Sequence, residues 1–235
     1  MTARNVKYWL VTWTTFGTWL PGDRRGFQTW RGREYVPPPG RYAKLGEATY
    51  DPAPYRRRHE YHARTLSQPP VRLTVSQIEV ASDALAGECG PAGVVGAAWA
   101  LGPVHAHLLT RFGPLPIRPT AGRLKAAATR TLRRGGFPHA RVWCRNVHMK
   151  KKHVGPEFRT AFAYVARHVR EPDTRVVVWP GFAESLSLLP RDVREKVVTC
   201  RPTTSRRLGG KGCDEGRGHG GSPTDDFDPF PRQPR

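Results

Sequence analysis

The order of strand-like and helix-like segments constrains the fold of this chain most strongly. Residues 7–15 are rich in aromatic and β-branched side chains, which predicts a first strand. Residues 74–89 begin with a capping threonine, place apolar side chains close to helical period and end before a Gly-Pro pair, which predicts a helix. The short apolar segments 94–99 and 104–110 predict sheet-core strands, either continuous or paired as a hairpin.

The second half of the pattern repeats the alternation. Residues 120–134 contain strong helix formers between a capping Thr120 and a Gly-Gly stop, so they predict a helix. Residues 141–147 are consistent with a short strand, and residues 157–169 predict a helix after a Gly-Pro pair. This order favours an α+β fold, a split sandwich with helices packed on one face of an antiparallel sheet.

The composition changes along the chain and suggests its organisation. We expect one main domain over residues 1–175, since the length does not demand two cores. Residues 21–70 are rich in Pro, Arg and Tyr, which predicts an irregular insertion with one short helix near 55–66. Residues 176–200 are expected to be a peripheral segment, and residues 201–235, rich in Gly, Pro and charge, a disordered tail.

The net charge narrows the class of partner. The chain carries 39 Lys and Arg against 19 Asp and Glu, a formal charge of +20. An enzyme that acts on small metabolites does not require such an excess of positive charge, whereas binding to a polyanionic partner explains the excess. No apolar run is long enough for a membrane span and no basic amphipathic helix has a large aliphatic face, so nucleic acid is preferred over a membrane.

The cysteines and the N-terminus indicate the compartment. The four cysteines, at 89, 144, 200 and 213, are scattered, which favours neither a disulfide framework nor a paired zinc motif. The first residues lack the pattern of a secretion signal. We therefore expect a cytoplasmic protein, associated with the bacterial nucleoid when it is bound to DNA.

Basic residues are concentrated between positions 118 and 170. This stretch holds 14 Lys or Arg against one acid, Glu157, which favours nucleic-acid binding over a merely solvated surface. Phe137, Trp143 and Phe158 could stack on unpaired bases. The predicted nucleic-acid contacts are Arg123, Lys125, Arg130, Arg133, Arg134, Arg145, Lys150, Lys151, Lys152 and Arg167.

Two histidines and a tyrosine are the candidates for chemistry. On a strand, His105 and His107 project from one face and could ligate a metal, although an isolated pair is more often structural. On a helix, Tyr164 and His168 share a face. If that face meets the histidine strand, three metal ligands and a nucleophile converge; otherwise Tyr164 is a core aromatic. Cys144 and His148 have spacing suited to zinc, which is a weaker alternative.

Several segments, in order along the chain, are similar to a known family. They are KYWLVTWTTFGTWLPGDRRGF, PPVRLT, AWALGPVHAHLL, RLKAAATRTL and FAYVARHV, and together they cover roughly residues 6–172. On these motifs the chain resembles the single-tyrosine HUH transposases, in particular the REP-associated tyrosine transposases and relatives of the insertion-sequence-200 type.

The resemblance implies a ferredoxin-like domain that nicks and rejoins single-stranded DNA as a transposase. His105, His107 and His168 would be ligands of Mg²⁺ or Mn²⁺, with Mn²⁺ favoured by the third imidazole, and Tyr164 would be the catalytic nucleophile. The implied partners are single-stranded or hairpin DNA and a second copy of the chain, with no membrane and no small-molecule substrate.

The motifs depart from the family pattern at two points. Gly102-Pro103-Val104 stands where the family usually has Pro-Asn before the first histidine, and His168-Val169 stands where it has Asn-Pro. These departures motivate an alternative function, that of a catalytically inactive, domesticated protein that binds structured DNA or RNA.

Overall fold

The computed structural model describes residues 7–23, 26–28, 35–36, 53–113 and 116–199. The predicted disordered tail at 201–235 and much of the predicted insertion lie outside these residues. None of the helices in the described ranges combines the length and the hydropathy that a bilayer span requires.

A six-stranded sheet forms the centre of the structure, with the strand order β6-β1-β5-β4-β7-β8. All neighbouring pairs in it are antiparallel except β7 with β8. The strands of this sheet are β1 Lys7–Thr14, β4 Val94–Leu101, β5 His105–Phe112, β6 His148–His153, β7 Arg175–Val178 and β8 Val198–Thr199. A separate ribbon pairs β2 Phe27–Gln28 with β3 Tyr35–Val36.

Five α-helices and two 3₁₀ segments accompany the sheet in the described part of the chain. The α-helices are α1 Ala53–Arg64, α2 Val75–Cys89, α3 Ile117–Arg134, α4 Pro156–Ala166 and α5 Arg191–Arg194. The 3₁₀ segments are Arg167–Arg170 and Pro180–Leu188.

The predicted α+β class and the antiparallel sheet are confirmed. The units β1-α2-β4 and β5-α3-β6 are two interlocked split βαβ motifs, since β5 lies between β1 and β4 and β1 lies between β5 and β6. The expectation that all helices pack on one face holds for α2 and α3. It is wrong for α4, which covers the opposite face of the sheet.

The alternation of side chains along the strands produces these two cores. Trp99 and Leu108 face α2 and α3 and join a cluster with Ile78 and Leu124. Ala98, Ala100 and Leu109 face the other way, where they pack against Phe162 and Val165 of α4. Because central strands are buried on both faces, their sequences read as continuous apolar runs and hide the alternation.

The predicted helix ends are partly right. Thr74 caps α2 as expected. The Thr74 hydroxyl accepts a hydrogen bond from the Gln77 backbone N–H and the Gln77 side chain accepts one from the Thr74 backbone N–H, which together form a capping box. The predicted cap at Thr120 is wrong, because α3 begins at Ile117 after Pro116 and the Thr120 hydroxyl donates to the Pro116 carbonyl within the first turn. Gly136, with φ of 81°, ends α3 as expected.

One predicted strand is absent, and one segment that was not predicted to be a strand joins the sheet. Residues 141–147 are not a strand; Trp143 makes one isolated bridge to Thr15, and the strand that follows begins at His148. The segment 176–200, expected to be peripheral, supplies most of β7, which extends the sheet beyond β4 and buries Val176 and Val178.

Gly96 and Trp179 illustrate how tightly the sheet is covered at β4. The register of β4 against β5 shifts between Gly96 and Ala98, and the Trp179 indole lies over the glycine. A Cβ at Gly96 would come within 2.5 Å of the indole carbons, whereas one at Gly122 in α3 would meet nothing within 4 Å.

We expect Gly96→Ala to lower the free energy of unfolding by about 1–3 kcal/mol, because the indole must move. Gly122→Ala is the matched control and should raise it by about 0.5–1 kcal/mol, since alanine is the better helix former. Urea unfolding followed by tryptophan fluorescence measures both. Equal effects of the two substitutions would contradict the packing of Trp179 on Gly96.

Candidate metal centre

Strand β5 presents His105 and His107 toward α4. In the register with β1, Thr14 lies opposite His105 and Thr12 lies opposite His107, so the four side chains share one face. The intervening Ala106 points to the α2 and α3 side, where it is buried. The predicted strand geometry of the two histidines is therefore present.

Helix α4 and the 3₁₀ turn after it supply the other two candidate residues. Phe162 and Val165 anchor α4 to the sheet, and Tyr164 on the neighbouring face is half-buried over β5. The helix tightens at Arg167, so His168 belongs to a 3₁₀ turn and not to the α-helix that the sequence predicts. His168 is nevertheless buried beside the strand histidines, with 5 % of its surface exposed.

The three imidazoles converge on one point. Candidate ligand atoms of His105, His107 and His168 all lie within 4.8 Å of one another. The ring centroids of His107 and His168 are 4.4 Å apart, and that of His105 is 4.9 Å from the first and 5.4 Å from the second. Such a donor set can hold a divalent metal ion, and nitrogen ligands suit transition metals better than Mg²⁺.

Hydrogen bonds on the far side of two rings fix which nitrogen faces this point. The Nδ1 of His168 donates to the Tyr164 carbonyl at 2.8 Å, which leaves Nε2 as the lone-pair nitrogen. The Nδ1 of His107 lies 2.9 Å from the Thr12 hydroxyl oxygen. Outer hydrogen bonds of this kind orient histidine ligands in metal sites. The residues present therefore fit a metal ion.

Burial keeps His107 in the form that a metal needs. Its side chain is almost fully covered, and burial lowers its pKa to about 2, assisted by the neighbouring His168 and His105. A protonated imidazole cannot ligate a metal, so the neutral state near pH 7 leaves a lone pair available.

Tyr164 lies at the edge of the cluster. Its hydroxyl is 3.3 Å from Nε2 of His107, and the Arg167 guanidinium lies 4.8 Å from the ring centroid. Burial raises the pKa of Tyr164, Arg167 lowers it and the carboxylate of Glu171 raises it further. The surroundings alone therefore do not ionise the phenol, so its attack on phosphorus would require activation by a general base or a metal ion.

Glu171 belongs to the site although the sequence reasoning missed it. Its Oε2 lies 3.5 Å from Nε2 of His105, and its Oε1 lies 3.6 Å from Nε2 of His168. The relevant signal is its position three residues after His168, a spacing that brings two side chains together when the chain continues in a helical or 3₁₀ turn.

Five of the ten predicted nucleic-acid contacts lie on α3, on the other side of the sheet from the histidines. Arg123 pairs with Glu88 at 2.8 Å, and Arg130 lies 4.0 Å from the same carboxylate. Lys125 is buried, and its ammonium donates to the carbonyls of Cys144 and Arg145. Arg133 donates to the Ala140 carbonyl, and Arg134 is exposed.

A groove of about 450 Å³ lies between α3 and residues 140–147. Arg118, Arg141 and Arg145 line it, and none of the acidic residues that the structure describes does so. Phe137 and Trp143, predicted to stack on bases, are buried in the core, and Trp143 donates its indole hydrogen to the Lys125 carbonyl. The prediction that these two rings stack on bases is wrong, because both pack in the hydrophobic core between α3 and the sheet.

Strand β6 distributes its three lysines over both faces of the sheet. Lys150 lies opposite Leu10, and Lys152 lies opposite Tyr8, so both share the face of the histidine cluster. Lys151 lies opposite Trp9 and faces the other way. Arg167, beside Tyr164, is exposed on the histidine side.

Phe158 and the Cys144 and His148 pair have other roles. Phe158 packs against Tyr8, with 4.6 Å between the ring centroids, and is not a free stacking surface. Among the described residues, the one cluster of three or more candidate metal ligands is the histidine cluster, and it includes neither Cys144 nor His148. The thiol of Cys144 donates to the Thr15 carbonyl instead.

No family model matches the chain, and searches of curated proteins and of solved structures likewise found no similar protein.

The depressed pKa of His107 makes a prediction for pH dependence. Above pH 6.5 this histidine is neutral in both the folded and unfolded states; below it, only the unfolded state takes up the proton. In the presence of a chelator, stability should therefore fall with decreasing pH, with a contribution from His107 of up to about 1.4 kcal/mol per pH unit.

Urea unfolding between pH 7.5 and 4.5 measures this slope. His107→Gln should flatten it, while His153→Gln, which removes an exposed histidine of β6, should leave it as in the unmodified protein. An unchanged slope in His107→Gln would show that His107 does not resist protonation.

Proposed function

We propose that the chain is a metal-dependent endonuclease and strand transferase of single-stranded DNA that works through a 5′-phosphotyrosine intermediate. The observation that carries the proposal is the convergence of three histidines with a tyrosine hydroxyl 3.3 Å from one of them. The motif resemblance to single-tyrosine HUH transposases supports it. The proposed partners are single-stranded or hairpin DNA and a second copy of the chain.

In the proposed reaction the Tyr164 oxygen attacks the phosphorus of the scissile phosphodiester. The new O–P bond forms as the P–O3′ bond breaks, the phenolic proton passes to water, and the departing 3′ oxygen takes up a proton. The chemistry that a divalent ion supplies at such a site is polarisation of a non-bridging phosphate oxygen. The reverse attack by a 3′-hydroxyl reseals the strand without an external energy source.

Side chains around the tyrosine have positioning roles in this proposal. His105, His107 and His168 would hold the ion, and Thr12 would orient His107 through its hydroxyl. Arg167 contacts the face of the Tyr164 ring and offers its guanidinium to the phosphate. Lys150 and Lys152 of β6 would hold the backbone of the strand on the same side of the sheet.

A binding protein without cleavage activity is the second candidate. It is favoured by one specific observation: the raised pKa of Tyr164, to which the nearby Glu171 carboxylate contributes. In that case the basic side chains on both faces of the sheet would bind DNA or RNA without chemistry.

The two candidate functions differ in whether the protein forms a covalent adduct with DNA through Tyr164. With Mn²⁺ and hairpin oligonucleotides labelled at either end, the unmodified protein should form a covalent adduct with one cleavage product. Tyr164→Phe should abolish the adduct and retain DNA affinity, because only the attacking oxygen is lost. Denaturing gel electrophoresis measures the adduct.

Tyr61→Phe is the control, since Tyr61 lies exposed on α1. Tight binding without an adduct by the unmodified protein would favour the binding protein, and an adduct that persists in Tyr164→Phe would exclude Tyr164 as nucleophile.

The three lysines of β6 provide a matched test of the face on which DNA runs. The Lys150→Ala, Lys152→Ala double variant should weaken binding of single-stranded DNA and reduce the slope of log K against log salt by about 0.7 per lost phosphate contact. Lys151→Ala, on the opposite face, should change neither. Fluorescence anisotropy at several salt concentrations measures both, and equal effects at all three positions would indicate unspecific attraction.

A further inference from the structure

We propose that Glu171 is a fourth protein ligand of the metal ion held by His105, His107 and His168. The inference rests on the metal site of the proposed function, and it assigns a role to a carboxylate that the motif resemblance does not cover. Glu171 is the described acid that lies against both His105 and His168.

The 3₁₀ turn after α4 places this carboxylate. In a 3₁₀ segment, side chains three residues apart eclipse each other, which brings Glu171 over His168. The Glu171 backbone N–H donates to the His168 carbonyl at 2.9 Å and closes the turn. Arg170 anchors the same turn from outside through two bonds to the Asp192 carboxylate, at 3.0 and 3.2 Å.

The distances match those between ligands of one ion. Two atoms bound to the same tetrahedral ion at about 2.1 Å are about 3.4 Å apart. Each Glu171 oxygen lies at such a separation from one imidazole nitrogen, 3.5 Å from His105 and 3.6 Å from His168.

The ring nitrogen of His168 that Glu171 contacts distinguishes a metal ligand from an outer carboxylate. The Nδ1 of His168 is already engaged by the Tyr164 carbonyl, so the carboxylate approaches the nitrogen that faces the metal position. An outer carboxylate that merely orients a histidine ligand would contact the other nitrogen of the ring. Glu171 therefore stands among the ligands and not behind them.

A carboxylate among three imidazoles changes the ion that the site prefers. Three neutral nitrogen donors and one anionic oxygen suit Zn²⁺, Mn²⁺ or Co²⁺ and provide little of the all-oxygen octahedron that Mg²⁺ requires. Ions of this class can extend to five or six ligands, which leaves room for a phosphate oxygen.

Metal binding by the metal-free full chain tests the inference. Zn²⁺ is titrated by calorimetry, and Co²⁺ by its visible absorbance, which reports the number and kind of ligands. Glu171→Gln keeps the size of the side chain and the backbone bond and should weaken binding of both ions at least tenfold and alter the Co²⁺ spectrum. Glu184→Gln, which changes an exposed acid of the second 3₁₀ segment, should match the unmodified protein in both measurements.

The thermal midpoint in the presence of a chelator shows that each variant folds, and its rise on adding Zn²⁺ gives a second measure of affinity. Unchanged affinity and an unchanged spectrum in Glu171→Gln would overturn the inference. Failure of the unmodified protein to bind either ion would overturn it together with the proposed metal site. Weaker binding in Glu171→Gln alongside absence of DNA cleavage would support the ligand and reject only the proposed reaction.

Discussion

The burial of β5 on both faces is the constraint on which the rest of the structure depends. One face of the strand supplies Leu108 to the core beneath α2 and α3, and the other supplies Leu109 to the core beneath α4. A register slip of one residue would exchange the two faces and move both histidines into the larger apolar core. Pairing with β1 on one side and β4 on the other therefore fixes the site as well as the sheet.

The same burial creates the chemistry of the cluster. Removing His107 from water makes its protonated form costly, and two further imidazoles nearby increase that cost. The neutral His107 can offer a nitrogen lone pair to a divalent ion, and His105 and His168 place further candidate ligand nitrogens within 4.8 Å of it. The same arrangement therefore lowers the stability of the fold at low pH and favours the binding of a metal ion.

The sequence predicted the sheet and the four residues that meet at the site. It did not predict the 3₁₀ turn that completes the site. Alternation placed His105 and His107 on one face, and helical spacing placed Tyr164 near His168, because both periods are local properties of the backbone. The 3₁₀ turn at Arg167–Arg170 was not predicted, and with it Glu171 was missed. The same turn carries the Arg170 contact with Asp192, which spans 22 residues and which no local pattern reveals.

Tertiary packing also decided which charges and rings are available for binding. Lys125 resembles its exposed neighbours in the sequence, yet it is buried and bonded to two carbonyls. Strand β6 is an edge strand, and its lysines both discourage pairing with another sheet and carry positive charge along the histidine face.

A carboxylate next to a phosphate-binding position would repel the substrate by itself. If Glu171 is a ligand as proposed, a bound divalent ion would offset its negative charge and would supply positive charge for a phosphate. The exposed Arg167 and Lys150 add attraction from the protein on the same side. In the proposed function, substrate binding would then be coupled to metal loading, since the metal-free site would present an anion to the approaching DNA and the loaded site would present a cation.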